Sequence, residues 1–234
     1  NSSNGAVTGV TLISGETFNA PNVINAAGPH AAKINRMAGV YDEMKVHHQP
    51  LRQEVFSPPA PVGFRLEDNA PIVADLDLGQ YFRPHMGDLL NVGTTEPACD
   101  ELHFIDDADD WNDSVTVEFF ERVMLRLARR LPDFGVPLKL LGIGALYDVT
   151  DDWIPLYDKS SLNGFFMACG TSGNQFKNAP LVGKFIRALV EAQEQGIDHD
   201  LTPVEFIGES TGNAINLSAF SRLRTQGVTA GNVM

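Results

Sequence analysis

The stretch that most constrains the fold is Gly164–Gly196. An apolar run, Gly164–Gly170, ends in a loop of small and polar residues, Gly170-Thr171-Ser172-Gly173-Asn174-Gln175. The loop leads through Phe176 and Lys177 into an amphipathic segment, Asn178–Gly196, with Pro180 in its first turn and Gly196 as its stop. The pattern reads as buried strand, tight loop and helix. Glycines allow a ligand to approach the backbone closely, and a helix start presents N–H groups that attract anions and polarised groups. Lys177 stands where a cation opposes the helix dipole; alone it is unfavourable there, and facing an anionic ligand it is favourable. The same segment is at least as readable as a plain strand-to-helix connection with an exposed lysine. Asn25-Ala26-Ala27-Gly28-Pro29, at the end of the apolar strand Asn22–Ala27, is a second place where small residues let a planar or bulky group pack, or simply a tight turn.

Around these two places the chain alternates strand and helix patterns. Ala6–Ile13 reads as a strand turned by Gly15, and His30–Ala38 as a short helix. Leu51–Phe56, Ile72–Leu78, Gln80–Arg83 and Leu89–Gly93 read as strands, the last three antiparallel, with His85-Met86-Gly87-Asp88 as a turn. Val115–Leu131 carries a helical stripe of Phe119, Phe120, Val123, Met124, Leu127 and Leu131, closed by Pro132 and Gly135. Leu138–Val149 reads as a further strand. The class is α+β or mixed α/β.

Composition removes several functions. Net charge is −13, from 17 basic and 30 acidic side chains, so general nucleic-acid binding and a polybasic membrane surface are out. No apolar run approaches the ~20 residues of a membrane span. The start, Asn1-Ser2-Ser3-Asn4-Gly5, has no signal-peptide pattern and no Met, so the chain reads as beginning mid-protein. The two cysteines, Cys99 and Cys169, form no Cys-x-x-Cys pair, and Cys169 reads as a buried thiol in a reducing, cytoplasmic protein. His47-His48 lacks a third ligand at useful spacing, so no metal is expected. Asp106–Asp110 lacks the Gly and closing Glu of a calcium loop and reads as a solvated face.

Taken in order, VINAAGP, YFRP, LLNVGTTEP, DDWIPLY and FFMACGTSGNQFKNAPLVGK resemble the C-terminal half or more of FAD-dependent amine oxidoreductases of the D-amino-acid oxidase superfamily. The branch is that of sarcosine oxidase, dimethylglycine dehydrogenase and glycine oxidase. The likeness covers residues 6–190 and continues weakly to Asn216–Arg224. It implies part of a two-domain flavoenzyme. Residues 1–45 would be the tail of the FAD domain, 46–140 an antiparallel-sheet substrate domain with a covering helix, and 141–234 the return to the FAD domain. It further implies FAD held by Ala26, Ala27, Gly28 and by Gly170, Thr171, Ser172, Gly173, Asn174, Gln175 and Phe176. Lys177 would bind a substrate carboxylate, with Tyr147 and Arg83 as further substrate contacts. Arg83 is equally readable as a rim arginine in an ion pair. No catalytic residue is assigned.

Three departures from the family pattern matter. The Gly-x-Gly-x-x-Gly of the nucleotide half is absent, since Gly142-x-Gly144 has Tyr147 in third place. A missing N-terminal segment of the same protein is therefore expected as a partner, and this fragment alone is expected to be inactive. Ala145 occupies the position of the flavin-tethering Cys, so the flavin is expected to be non-covalent. Asn91 stands where oxidases keep an oxygen-activating Lys, which favours another electron acceptor, possible as a protein. The implied reaction is hydride removal from a small amine or amino acid. The rivals are a non-catalytic binding module and an FAD-dependent dehydrogenase of 2-hydroxy acids or glycerol 3-phosphate.

Overall fold

The computed structural model describes residues 1–227, which fall into two compact units. One comprises Asn1–Pro50 with the described residues from Tyr147 to Gly227, and the other comprises Leu51–Leu146. The elements that position the site are, in chain order, β1 (Val23–Asn25), α1 (Ala31–Met37), β2 (His48–Phe56), β3 (Val73–Asp75), β4 (Gln80–His85), β5 (Leu89–Thr94), α2 (Val117–Arg130), β6 (Gly142–Thr150), β7 (Leu156–Lys159), β8 (Phe165–Cys169) and α3 (Ala179–Glu194). The architecture is mixed α/β.

In the first unit a three-stranded sheet has the order β7-β8-β1, with β7 antiparallel and β1 parallel to β8. The run FFMAC of β8 is apolar throughout because both of its faces are covered. Phe165, Met167 and Cys169 pack with Leu156 against Ala31 of α1, Val40, Met44 and Val46. Phe166 turns the other way, with Tyr157, onto Phe185, Ile186 and Leu189 of α3. Helix α3 has Pro180 in its first turn and is followed by Gly196 at φ +77°, the left-handed position that favours glycine as a stop.

In the second unit a sheet runs from the short strand His103–Phe104 through β2, β5 and β4 to β3, and β6 also pairs with β2. Strands β4 and β5 are antiparallel, with Phe82 opposite Val92 and Arg83 opposite Asn91. Gly87 and Asp88 both take positive φ in the turn between them. The stripe of α2 buries Phe120, Val123, Met124 and Leu127 against Phe56, Phe82, Leu90 and Val92. Glu54 of β2 fixes the start of α2, accepting from the Thr116 N–H (2.7 Å) and hydroxyl (2.8 Å) while paired to Arg52 at 2.7 Å. Arg52 is thereby structural. Met124→Ala should cost about 2–5 kcal/mol, the range for emptying a fully buried long side chain, read as a lowered denaturant midpoint with unchanged slope.

The amino-terminal reading needs correction. Ala6–Ile13 is not one strand: it breaks into Ala6–Val7 and Gly9–Thr11, because Gly9 sits at φ +142° with its α-carbon face against the Phe18 carbonyl. Gly9–Thr11 pairs back onto Thr17–Asn19, with Gly15 in the turn, whereas β1 pairs with β8. The strand expected from Leu138 begins at Gly142. Strand β7 and the hairpin Glu205–Ile207/Ala214–Asn216 were not expected.

Candidate functional site

The loop after β8 is built around residues whose backbone excludes side chains. Gly170 has φ +63°, and a β-carbon there would lie 2.3 Å from Thr150 Cγ2. Gly173 has φ +75°, and a β-carbon there would lie 2.5 Å from the Tyr147 ring. Ser172, between them, is buried at φ +47°, its N–H donating to the Asp148 carbonyl at 2.7 Å. The Gly170 N–H donates to Asp148 Oδ2 at 2.6 Å. By contrast, the N–H groups of Thr171, Gly173 and Gln175 donate to nothing within the described residues. The Gln175 side chain is held, accepting from the Tyr157 hydroxyl at 3.0 Å and Asn178 Nδ2 at 2.6 Å, and it donates to Asn174 Oδ1. Phe176 is 97% exposed. Lys177 is exposed, immediately precedes α3, and forms no ion pair among the described residues.

The second loop follows β1. Asn25 is buried, Ala26 and Ala27 are exposed, and Gly28 has φ +57° with open space where a β-carbon would stand. A cluster that sequence spacing did not reveal lies between the two loops. His48, Asp148 and Cys169 are all buried, with candidate ligand atoms within 4.8 Å of one another. Asp148 and Cys169 supply what the His47-His48 pair lacked in sequence. Both His48 nitrogens are nevertheless taken by hydrogen-bonding neighbours: Nδ1 is 2.6 Å from Asp148 Oδ1, and Nε2 is 3.1 Å from Asn35 Nδ2. Cys169 Sγ is 3.7 Å from Nε2. Burial pushes the imidazole pKa down, but the Cys169 sulfur when charged, followed by Asp148, outweighs it and raises the pKa to about 10.

Tyr147 therefore joins the Gly170–Lys177 loop, while Arg83 belongs to the other unit. It lies half-buried on β4, on the face opposite the buried Phe82, with Asn91 as its register partner. Its one side-chain hydrogen bond is a 3.5 Å contact from Nη1 to the Pro84 carbonyl, and it makes no ion pair among the described residues. Gly142 and Gly144 lie inside β6 with no helix following, so they form no nucleotide loop.

Backbone donors without partners, glycines at positive φ and open space at Gly28 suit a group that is planar and electron-rich at one end and anionic at the other. A flavin nucleotide has that character, and the residues present fit it.

No helix among the described residues is long and apolar enough to cross a membrane. No curated protein matches the chain. Solved structures share its fold. L-proline dehydrogenase from P. horikoshii superposes with TM-score 0.65 at 20% identity, over 94% of this chain and 50% of its own. Glycine oxidase from Geobacillus kaustophilus gives 0.65 at 21%, over 96% and 51%. Fructosamine oxidase (Amadoriase II) from Aspergillus fumigatus gives 0.62 at 18%, over 82% and 46%. The chain thus spans about half the length of these proteins. Residues 1–189 match the family described as DAO, FAD dependent oxidoreductase, and the chain belongs to that family.

Proposed function

We propose that the chain is the C-terminal part of an FAD-dependent amine oxidoreductase that oxidises a C–N bond of a small amino acid or N-methyl amino acid. The observation that carries this is the Gly170–Lys177 loop, with its free backbone donors and its exposed, unpaired lysine. In this reading Ala26, Ala27 and Gly28 line the nucleotide part of the cofactor, and Gly170–Phe176 line the flavin. Bound FAD supplies the acceptor for a hydride from the carbon next to the amine nitrogen. The N–H groups of Thr171, Gly173 and Gln175, with the start of α3, would hold a flavin by offering it hydrogen bonds and positive potential. Lys177 holds the substrate carboxylate, and Tyr147, beside the same loop, bounds the substrate. An amine that binds neutral needs no strong general base, so orientation is the chain's main contribution. The absence of a cation at Asn91 favours an electron acceptor other than oxygen, and a cytoplasmic setting accords with two free thiols.

An apolar groove of about 460 Å³ supports the expectation of further chain. It is lined by Ile24 on the open edge of β1 and by Val182, Ile186 and Val190 of α3. A dinucleotide-binding segment would add a strand beside β1 and cover the groove. The isolated 234-residue chain should accordingly purify without stoichiometric FAD, and the full-length protein with it.

The test of the reaction is anaerobic mixing of the full-length protein with glycine, N-methylglycine and proline. Bleaching of the flavin band by at least one of them is expected. No bleaching by any of them, with bleaching by a 2-hydroxy acid or glycerol 3-phosphate, would overturn the amine assignment.

A further inference from the structure

One buried titratable side chain, His48, has no part in the chemistry above, yet it is hydrogen-bonded toward both proposed cofactor loops. The direction of these bonds can be read from the backbone inward. Asn25 is oriented by its surroundings: Oδ1 accepts from the Ala27 N–H at 3.2 Å, and Nδ2 donates to the Ala31 carbonyl at 2.9 Å. The second hydrogen of that amide points at Asn35 Oδ1, 2.7 Å away. Asn35 therefore presents its Nδ2 to His48 Nε2 at 3.1 Å, and the ring nitrogen must accept. The ring proton then sits on Nδ1 and is donated to Asp148 Oδ1 at 2.6 Å. Asp148 Oδ2 receives the Gly170 N–H at 2.6 Å. Asn25, Asn35, His48 and Asp148 are 4%, 0%, 1% and 1% exposed, so water does not compete for these bonds.

We propose that His48 is a positioning residue: as the neutral Nδ1–H tautomer, held between Asn35 and Asp148, it fixes the Gly170–Gly173 loop and the Asn25–Gly28 turn in one mutual pose for cofactor binding. The proposal rests on the flavin reading of those loops. The groups facing the ring are Asp148, Cys169 and Tyr41, whose ring centroid is 6.1 Å away. The upward pull of Cys169 and Asp148 on the ring is opposed by geometry: a proton on Nε2 would set two N–H donors against each other across the 3.1 Å contact with Asn35 Nδ2. Both Asp148 oxygens are satisfied at a site sealed from water: one takes the ring proton's hydrogen bond and the other a backbone N–H.

The test has two arms on the full-length protein. In the first, nitrogen NMR of ¹⁵N-histidine-labelled wild type reads the tautomer directly. The Nδ1–H form is expected at neutral pH, and an Nε2–H tautomer or an imidazolium overturns the proposal without any variant having to fold. In the second, FAD affinity is measured by fluorescence. His48→Asn keeps an N–H aimed at Asp148 and should bind FAD within about threefold of wild type. His48→Gln and Asp148→Asn break the link to the Gly170 loop and should weaken FAD roughly tenfold or more, the worth of one charge-assisted hydrogen bond. Equal losses in His48→Asn and His48→Gln would mark a packing role and overturn the proposal. A wild-type protein that binds no FAD would instead sink the flavin reading, with the tautomer still deciding whether the hydrogen-bonded chain exists.

Discussion

Arg222→Met should lower stability by about 3–5 kcal/mol at neutral pH, the cost typical of removing one partner from a buried ion cluster. The Arg222 guanidinium is 3% exposed and donates to Glu43 at 2.8 Å, to Asp158 at 3.1 Å and to the two oxygens of Asp200 at 2.9 Å each. Asp158 is itself fully buried, and burial holds its carboxyl above the ordinary value despite Arg222, while Lys159 lies 3.0 Å from Asp200. Methionine fills a similar volume, so the loss is electrostatic rather than a cavity. The pH dependence carries the sign. Burial would raise Glu43 and Asp200, but Ser161 with Arg222 outweighs it at the first, and Arg222 with Lys159 at the second. Both are thus held below their ordinary values of 4.5 and 3.8. In the wild type this contribution is present above the ordinary carboxylate range and is lost as pH falls through the depressed values. In the variant the carboxylates repel one another, and acid relieves them. Urea unfolding should therefore show a gap that is largest near neutral pH and narrows below about pH 4. A gap under about 1 kcal/mol, or one that widens in acid, would show that the cluster is not what holds this part of the fold.

The same cluster explains where the sequence was hardest to read. Strand β7 has Asp158 and Lys159 in it, and a strand with two charges looks solvated until Arg222, Asp198 and Asp200 arrive from far along the chain. Helix α2 was legible because its stripe repeats at the helical period and meets one apolar sheet face. The β4–β5 hairpin was legible because Gly87 marks its turn, and β8 because an apolar run bounded by glycines has few other uses. The parallel partnership of β1 with β8 leaves no local trace, and Gly9 breaks a strand that its β-branched neighbours would otherwise continue.

For the site, the Gly170–Lys177 loop announced itself through glycines, small residues and a cation at a helix start. The structure gives each glycine a reason, the Thr150 methyl beneath Gly170 and the Tyr147 ring beneath Gly173. His48 was visible only as half of a histidine pair, and the pair misleads. His47 is half-buried and lies 3.9 Å from Asp151, whereas Asp148 and Cys169, the neighbours that complete the cluster at His48, stand 100 and 121 positions away. A contact set by folding at that separation has no spacing signature.

Lys177→Met in the full-length enzyme should weaken binding of amino-acid substrates roughly 10–150-fold, the worth of about 1.5–3 kcal/mol for a hydrogen bond to a charged group. Amines of similar size without a carboxylate should be almost unaffected. The asymmetry follows from placement. The ammonium is exposed, has no carboxylate partner among the described residues, and sits at the positive end of α3, where the helix dipole disfavours it unless an anion is present. An amino-acid carboxylate would be drawn by both the lysine and the helix start, and methionine removes the first while leaving the second. The measurement is kcat/KM for paired substrates with and without the carboxylate, together with the flavin spectrum of the resting enzyme. Equal losses for both substrate types would place Lys177 at the flavin or in the fold rather than at the substrate. No loss for either would leave the exposed cation without a functional role and overturn its assignment to the substrate carboxylate.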